Sequence, residues 1–318
     1  MRALSVVSQR AKIIEVADAK ISRPDQVLVS VYYSAMNRAD LNAFKQVDGH
    51  QPILGIEFSG EILAVGDDVK NFKIGDRVMG HSPNALADLL VINADLLFAL
   101  PETMTFKEAA ALPVALQTMT EAICMSGSFQ KGQSILFQGA SSSTGIVGMQ
   151  IAKLFGAKTV IGTSRSIEKG RQLKKFAADV FVNSSDGDWV DQVLAASVGG
   201  VDLVIDFLSG PTVNGNMQAT KPGGTIVNVG RIAGNVGTFD FDLHNMRRIH
   251  YVGSSFRLRS EAETVAIVLQ MKQKLAAALA EKKITMPIAA VYALDDAQKA
   301  VDDLKQNRNF GKVVIAVK

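Results

Sequence analysis

From Ser134 onward, short apolar strands alternate with helical stretches, and this alternation constrains the chain more than any other feature. The segments "SILFQ", "TVIGT", "DVFVN", "VDLVIDF", "TIVNV" and "YVGSSF" are separated by stretches of helical periodicity. That pattern is the signature of βαβ units and a parallel sheet. The first hundred or so residues read differently. Apolar runs such as "QVLVSVYYSAM", "GEILAVG" and "DRVMG" are punctuated by Gly, Asp and Pro, which predicts an irregular antiparallel β region with few helices. After Ser260 the sequence predicts a long amphipathic helix, "EAETVAIVLQMKQKLAAALAEKK", then "MPIAAVYAL", a short helix from Asp295 and a last strand, "GKVVIAVK". Repeats, low-complexity tracts and charge blocks are absent.

The turn after the first parallel strand carries the chemistry. In "FQGASSSTGIVGMQIAKLFGA", a strand leads through a polar loop into a helix, the context of a dinucleotide-binding turn. Set against G-x-G-x-x-G, the run "STGIVG" places Ser143 at the first glycine, Gly145 where backbone approaches a pyrophosphate, and Gly148 where helix packs on strand. Hydroxyls of Ser142, Ser143 and Thr144 add donors to a helix N-terminus that already favours anions. The same serines also read as a plain helix cap.

The end of the second strand bears on that choice. A fold of this type usually places Asp or Glu about 20 residues on, for the ribose 2′-hydroxyl. Here Thr163, Ser164 and Arg165 end the strand and Lys169 follows. A neutral-to-cationic arrangement suits a 2′-phosphate, because Arg binds phosphate with a fork of donors. NADPH is thereby favoured over NADH, with an exposed helix start as the alternative reading of Arg165 and Lys169. At the carboxyl ends of later strands, Gly230 and Arg231, and then Ser254, Ser255 and Phe256, are placed to touch the nicotinamide half.

Composition removes several classes of function. A length of 318 residues with 47% hydrophobic content supplies two buried cores, taking about 150 residues per domain. The net charge is +3, but the 34 basic and 31 acidic residues are interspersed, which argues against nucleic acid or an anionic membrane as partner. Cys124 is the sole cysteine, so neither an intrachain disulfide nor a Cys-rich zinc site can form. A reducing, cytoplasmic location is expected. The N-terminal run is broken by Gln9, Arg10 and Lys12, unlike a signal or membrane segment.

Taken together, "PILGIEFSGEILAVGDDVKNFKIGDRVMG", "GASSSTGIVGMQIAK", "GTSRSIEK", "GSSFRLRS" and "NFGKVVIAV" resemble the zinc-lacking quinone oxidoreductase branch of the medium-chain dehydrogenase/reductase superfamily over nearly the whole chain. The resemblance implies an α/β fold in which a Rossmann domain, residues 118–257, is inserted in a mostly β, GroES-like catalytic domain, residues 1–117 plus 258–318. It places the active site in the cleft between them. It also maps the metal positions of zinc-dependent members: Asn37 fills the cysteine slot, Ile56 the histidine slot, and only Glu57 remains. No metal is expected.

The resemblance further implies that Asn37 and Asp40 border the nicotinamide, with Asn37 as a donor to the substrate oxygen or, alternatively, as a polar loop residue. Enoyl-reducing relatives carry a tyrosine just before the position of Pro52, whereas this chain reads "KQVDGHQP". His50 is the available acid there, its imidazole titrating near 6.5, unless it is a surface loop residue, and His81 has similar standing. Asn309 and Lys312 resemble a C-terminal cofactor contact, and Thr118 a threonine at the domain junction. The implied activity is zinc-independent hydride transfer from NADPH to a quinone or an α,β-unsaturated carbonyl. The alternatives are an enoyl-thioester reductase, or an NADPH-binding sensor or structural protein of weak turnover. The apolar segment "IHYVGSSF" reads as the outermost strand of the parallel sheet, and an exposed apolar edge of this kind predicts a homodimer.

Overall fold

A computed structural model describes residues 1–45 and 52–318. The chain divides into two compact units, one formed by Met1–Val114 with Glu261–Lys318 and the other by Ala115–Ser260. In the first unit both ends of the chain contribute to one seven-stranded sheet. Along it lie Ile288–Ala293, Lys312–Ala316, Gln26–Ala35, Glu57–Val65, Arg77–His81 and Leu97–Ala99, with Leu89–Asn93 also pairing with Gln26–Ala35. Alternate residues Val27, Val29 and Val31 are fully buried, as the period of two along a strand requires. They join Phe58, Ile62, Val78, Leu97 and Ile315 in one apolar core.

Register in this sheet fixes a polar site. Strands Glu57–Val65 and Lys312–Ala316 both run antiparallel to Gln26–Ala35, with Ser34 opposite Phe58 and Ala35 opposite Val314. The first residues of two strands, Glu57 and Lys312, therefore flank the carboxyl end of a third. The chain leaves that third strand at Met36 and Asn37 and turns into the 3₁₀ segment Arg38–Lys45.

The second unit is an all-parallel six-stranded sheet, ordered Val180–Asn183, Thr159–Ser164, Ser134–Gln138, Val201–Asp206, Thr220–Asn228, His250–Gly253. The order reverses between Ser134–Gln138 and Val201–Asp206, the switch point at which doubly wound sheets receive ligands. Across the sheet Ile161, Leu136, Val204 and Ile226 form one buried apolar row. Two residues further on, on the same face, the row becomes polar: Thr163, Gln138, Asp206 and Asn228. The predicted helix after the loop spans Ser143–Leu154, and the long helix after Ser260 spans Glu261–Ala280. A π-helical segment, Thr120–Ser126, has no counterpart in the sequence-based reading. Among the described residues, no helix is long and apolar enough to cross a membrane.

Candidate functional site

The loop after Ser134–Gln138 makes its tight turn at Gly139, whose φ of +88° lies in the region open to glycine. Ser143 is therefore not the turn residue that motif counting suggested. It is the first residue of the helix, and Ser142 is the cap, its hydroxyl accepting from Gly145 N at 3.1 Å. That bond leaves the hydroxyl hydrogen of Ser142 available to a ligand. Gly145 is required by the loop's own packing, since a Cβ there would lie 2.5 Å from Ala140 O. A Cβ on Gly148 would meet Phe137 at 2.5 Å and Met119 at 2.6 Å, so helix and strand touch there as expected.

Thr163 braces this loop from beneath. It is fully buried; its hydroxyl accepts from Gly139 N at 2.9 Å and donates to Gln138 Oε1. The hydroxyl of Thr163, a residue expected among those around the cofactor, is thus engaged within the protein. Ser164, also buried, donates to Ser141 Oγ at 3.2 Å and accepts from Ser166 N at 3.2 Å, which ties the loop to the end of the next strand. Arg165 stands exposed beside it and, among the described residues, has no ion-pair partner. Lys169 is half-buried in the helix Ile167–Gln172. Cap, first-turn N–H groups and guanidinium together suit an anionic ligand.

Further along the sheet edge, Gly230 is half-buried and Arg231 exposed. Ser254 is 4% exposed, and its hydroxyl donates to Glu121 Oε2, so its hydroxyl hydrogen is spent inside the protein. Glu121, in the π-helical segment, also accepts from Ser126 Oγ at 2.5 Å and from Arg259 at 2.6 Å. This buried acid anchors the segment that carries Ser255 and Phe256, and sequence reasoning missed it. The available signal was a lone charge in the apolar run "MTEAICM". Asp206 at the switch point accepts from Leu208 N and Ser209 N, and burial pushes its carboxyl above the ordinary range despite those donors. Thr118 is half-buried in the helix Pro113–Met119.

In the first unit the structure gathers Asn37, Asp40, Glu57 and Lys312. Lys312, only 3% exposed, donates to Asn37 Oδ1 at 2.5 Å and to Glu57 Oε1, forming an ion pair with fully buried Glu57. Glu57 also accepts from Asn37 Nδ2 at 2.8 Å and from Val114 N at 2.9 Å. The second amide hydrogen of Asn37 goes to Ala35 O at 3.2 Å. Both amide hydrogens of Asn37 are thus engaged within the protein; the contact to Ala35, at the long limit of a hydrogen bond, is the one open to exchange. Asp40, 5% exposed, accepts from Asn37 N at 2.7 Å and Gly55 N at 3.0 Å, clamping two loops together. Burial pushes its carboxyl up to about 6, the two backbone donors opposing that rise. Asn309 and His81 are half-buried in this unit, and His50 lies outside the described residues.

Zinc does not suit this donor set. Both carboxylate oxygens of Glu57 are taken, the cation they face is an ammonium, and Ile56 offers no donor. Among the described residues no three His, Cys, Asp or Glu side chains gather as a metal site needs.

An alcohol dehydrogenase GroES-like domain matches residues 23–102 and a zinc-binding dehydrogenase domain matches residues 144–271. These two domains, on this fold, make the chain a member of the medium-chain dehydrogenase/reductase superfamily. Quinone oxidoreductase-like protein 2 of Mus musculus is 29% identical over 320 residues, covering 98% of this chain and 90% of its own length. A phenolphthiocerol/phthiocerol polyketide synthase protein of Mycobacterium tuberculosis is 27% identical over 317 residues, 97% of this chain. This chain spans only 14% of that protein's length. The crystal structure of Escherichia coli quinone oxidoreductase complexed with NADPH shares the fold, with a TM-score of 0.86 at 22% identity over 99% of this chain and 100% of that one.

Proposed function

We propose that the chain is a zinc-independent, NADPH-dependent reductase of quinones or α,β-unsaturated carbonyls. The observation that carries this reading is the closed Asn37–Glu57–Lys312 cluster, in which the charge of Glu57 is met by an ammonium and no ligand set for a Lewis acid remains. Oxidising an alcohol calls for such an acid or a strong base to stabilise an alkoxide. Reducing an electron-poor acceptor calls mainly for orientation and a hydrogen-bond donor where negative charge develops.

Bound NADPH supplies the hydride and leaves as NADP⁺, while the acceptor takes up the hydride and a proton. The first turn of the helix Ser143–Leu154 and the hydroxyl of Ser142 hold the pyrophosphate, Arg165 with Lys169 holds the 2′-phosphate, and the strand ends at Gly230, Arg231 and Ser254 to Phe256 border the nicotinamide. Asn37 donates to the acceptor oxygen by exchanging its long bond to Ala35 O. The strand His250–Gly253, at the end of its sheet, carries exposed Tyr251, whose ring meets Phe239 edge-on, and Phe239 also packs against exposed Phe241. An apolar sheet edge of this kind favours pairing with a second copy, and a monomer in sedimentation at micromolar concentration would remove the homodimer from the reading.

An NADPH-oxidation panel of quinones, enones and enoyl thioesters tests the whole. Turnover of quinones or enones is expected. Turnover confined to enoyl thioesters supports the second reading, favoured by the likeness to a polyketide synthase segment and opposed by the absence of tyrosine in "KQVDGHQP". Tight NADPH binding with no acceptor oxidising it would select a sensor or structural role.

A further inference from the structure

Among the described residues, the most deeply buried ion pair of the first unit joins Lys312 and Glu57, whose side chains are 4% and 0% exposed. A pair so placed is expensive to desolvate and is a weak source of stability in itself. Its geometry does something else. The amide of Asn37 lies between the two charges, Oδ1 accepting from the ammonium and Nδ2 donating to the carboxylate. An ammonium has no lone pair to offer and a carboxylate no hydrogen, so the amide can sit in only one of its two flips. Nδ2 is thereby directed to the side where its second hydrogen makes the long bond to Ala35 O. Asp40 fixes the same residue from behind through Asn37 N.

We infer that Lys312 is a positioning residue for Asn37, and through it for the acceptor, rather than a contact of the cofactor. The inference rests on the proposed reduction and assigns a cation to it: the buried ammonium balances Glu57 and sets the direction of the donor that meets the acceptor oxygen. The chemistry needs this in a site built without metal, because a donor free to flip would present a carbonyl oxygen to the developing negative charge half of the time.

Three variants of the full chain test the inference: Lys312→Met, Lys312→Arg and the double variant Lys312→Met/Glu57→Gln. The double variant removes both charges and keeps the fold accessible even where Lys312→Met alone is unstable. Melting temperature, NADPH Kd by fluorescence titration, and kcat and KM for the best acceptor at saturating NADPH are measured on each. The double variant should recover the melting temperature lost in Lys312→Met, yet its kcat/KM for the acceptor should stay roughly 10- to 100-fold below wild type, the scale set by misplacing a reacting group. NADPH Kd should change by no more than about twofold, as for a site that the mutation does not touch. Lys312→Arg should keep part of the activity by preserving the charge.

Recovery of activity together with melting temperature in the double variant would make the pair merely structural and overturn the inference. A tenfold or larger rise in NADPH Kd, with acceptor kinetics unmoved, would overturn it in favour of a cofactor contact. If wild type reduces no acceptor, the proposed reaction falls by itself. The side-chain amide resonances of Asn37 still decide the inference: two distinct, slowly exchanging N–H signals in wild type that merge with the solvent-exposed amides in the double variant support it, and unchanged signals overturn it.

Discussion

At the turn between Ser134–Gln138 and Ser143–Leu154, the donors come from backbone N–H groups, a cap hydroxyl and a guanidinium standing alone at the surface. Around Glu57, each donor is spent on another protein group, and opposite charges cancel in the interior. The first region is an invitation to an anion; the second is a closed network whose output is the direction of one amide. The two regions therefore tolerate the loss of a charge very differently. Taking one charge from the closed network strands its partner in a dry interior, whereas taking one from the open turn costs only its ligand.

Breaking the closed network should give the largest effect. Lys312→Met leaves the Glu57 carboxylate buried without its cation, and a loss of about 3–5 kcal/mol in unfolding free energy is expected. Adding Glu57→Gln should restore most of it. Urea unfolding of the two variants checks this, and a cost below about 1 kcal/mol for the single change would mean that the pair behaves as an exposed one.

Breaking the open turn should leave stability alone and change ligand choice. Arg165→Glu replaces a charge-assisted phosphate contact by repulsion, so NADPH affinity should fall by roughly 2 to 4 kcal/mol. NADH should lose much less, or gain. Ser143→Gly, at the first helical position, should shift both cofactors alike and weakly, because any pyrophosphate contact is common to both. Equal weakening of NADPH and NADH by Arg165→Glu would remove the 2′-phosphate role.

A smaller effect separates the regions by pH. The carboxyl of Asp40 titrates at about 6 in the fold against 3.8 ordinarily, so across that window the folded chain binds more protons than the unfolded one. Stability from this group is therefore fully present at low pH and lost as pH rises through about 6. Asp40→Asn should remove that component, seen as a flatter stability profile between about pH 4 and pH 6 in thermal unfolding. The same profile in wild type and variant would place the titration elsewhere.

The regions also differ in how far the sequence disclosed them. The strand–loop–helix order, the glycines at 145 and 148 and the missing acid at the end of the second parallel strand are local facts, and local facts survive in a string of letters. Counting from a motif nevertheless put the turn at Ser143, because a positive φ is a property of backbone and belongs to Gly139. Thr163 was expected at the cofactor because it ends a strand, yet strand alternation turns it inward, in the same row as Gln138. Lys312 and Glu57 are 255 residues apart, and only the register of three strands brings them together. No local pattern carries that, nor the partnership of Glu121 with Ser254 and Arg259.

Hydride transfer from NADPH without metal is addressed in both its halves by one assay. Protein dialysed against a strong chelator is supplied with NADPH or NADH and the best quinone or enone acceptor, and oxidation is followed with and without added zinc. NADPH should be oxidised in preference to NADH, at a rate equal to that of undialysed protein and unmoved by zinc. Activity that disappears with the chelator and returns with stoichiometric zinc would rule out metal-free transfer.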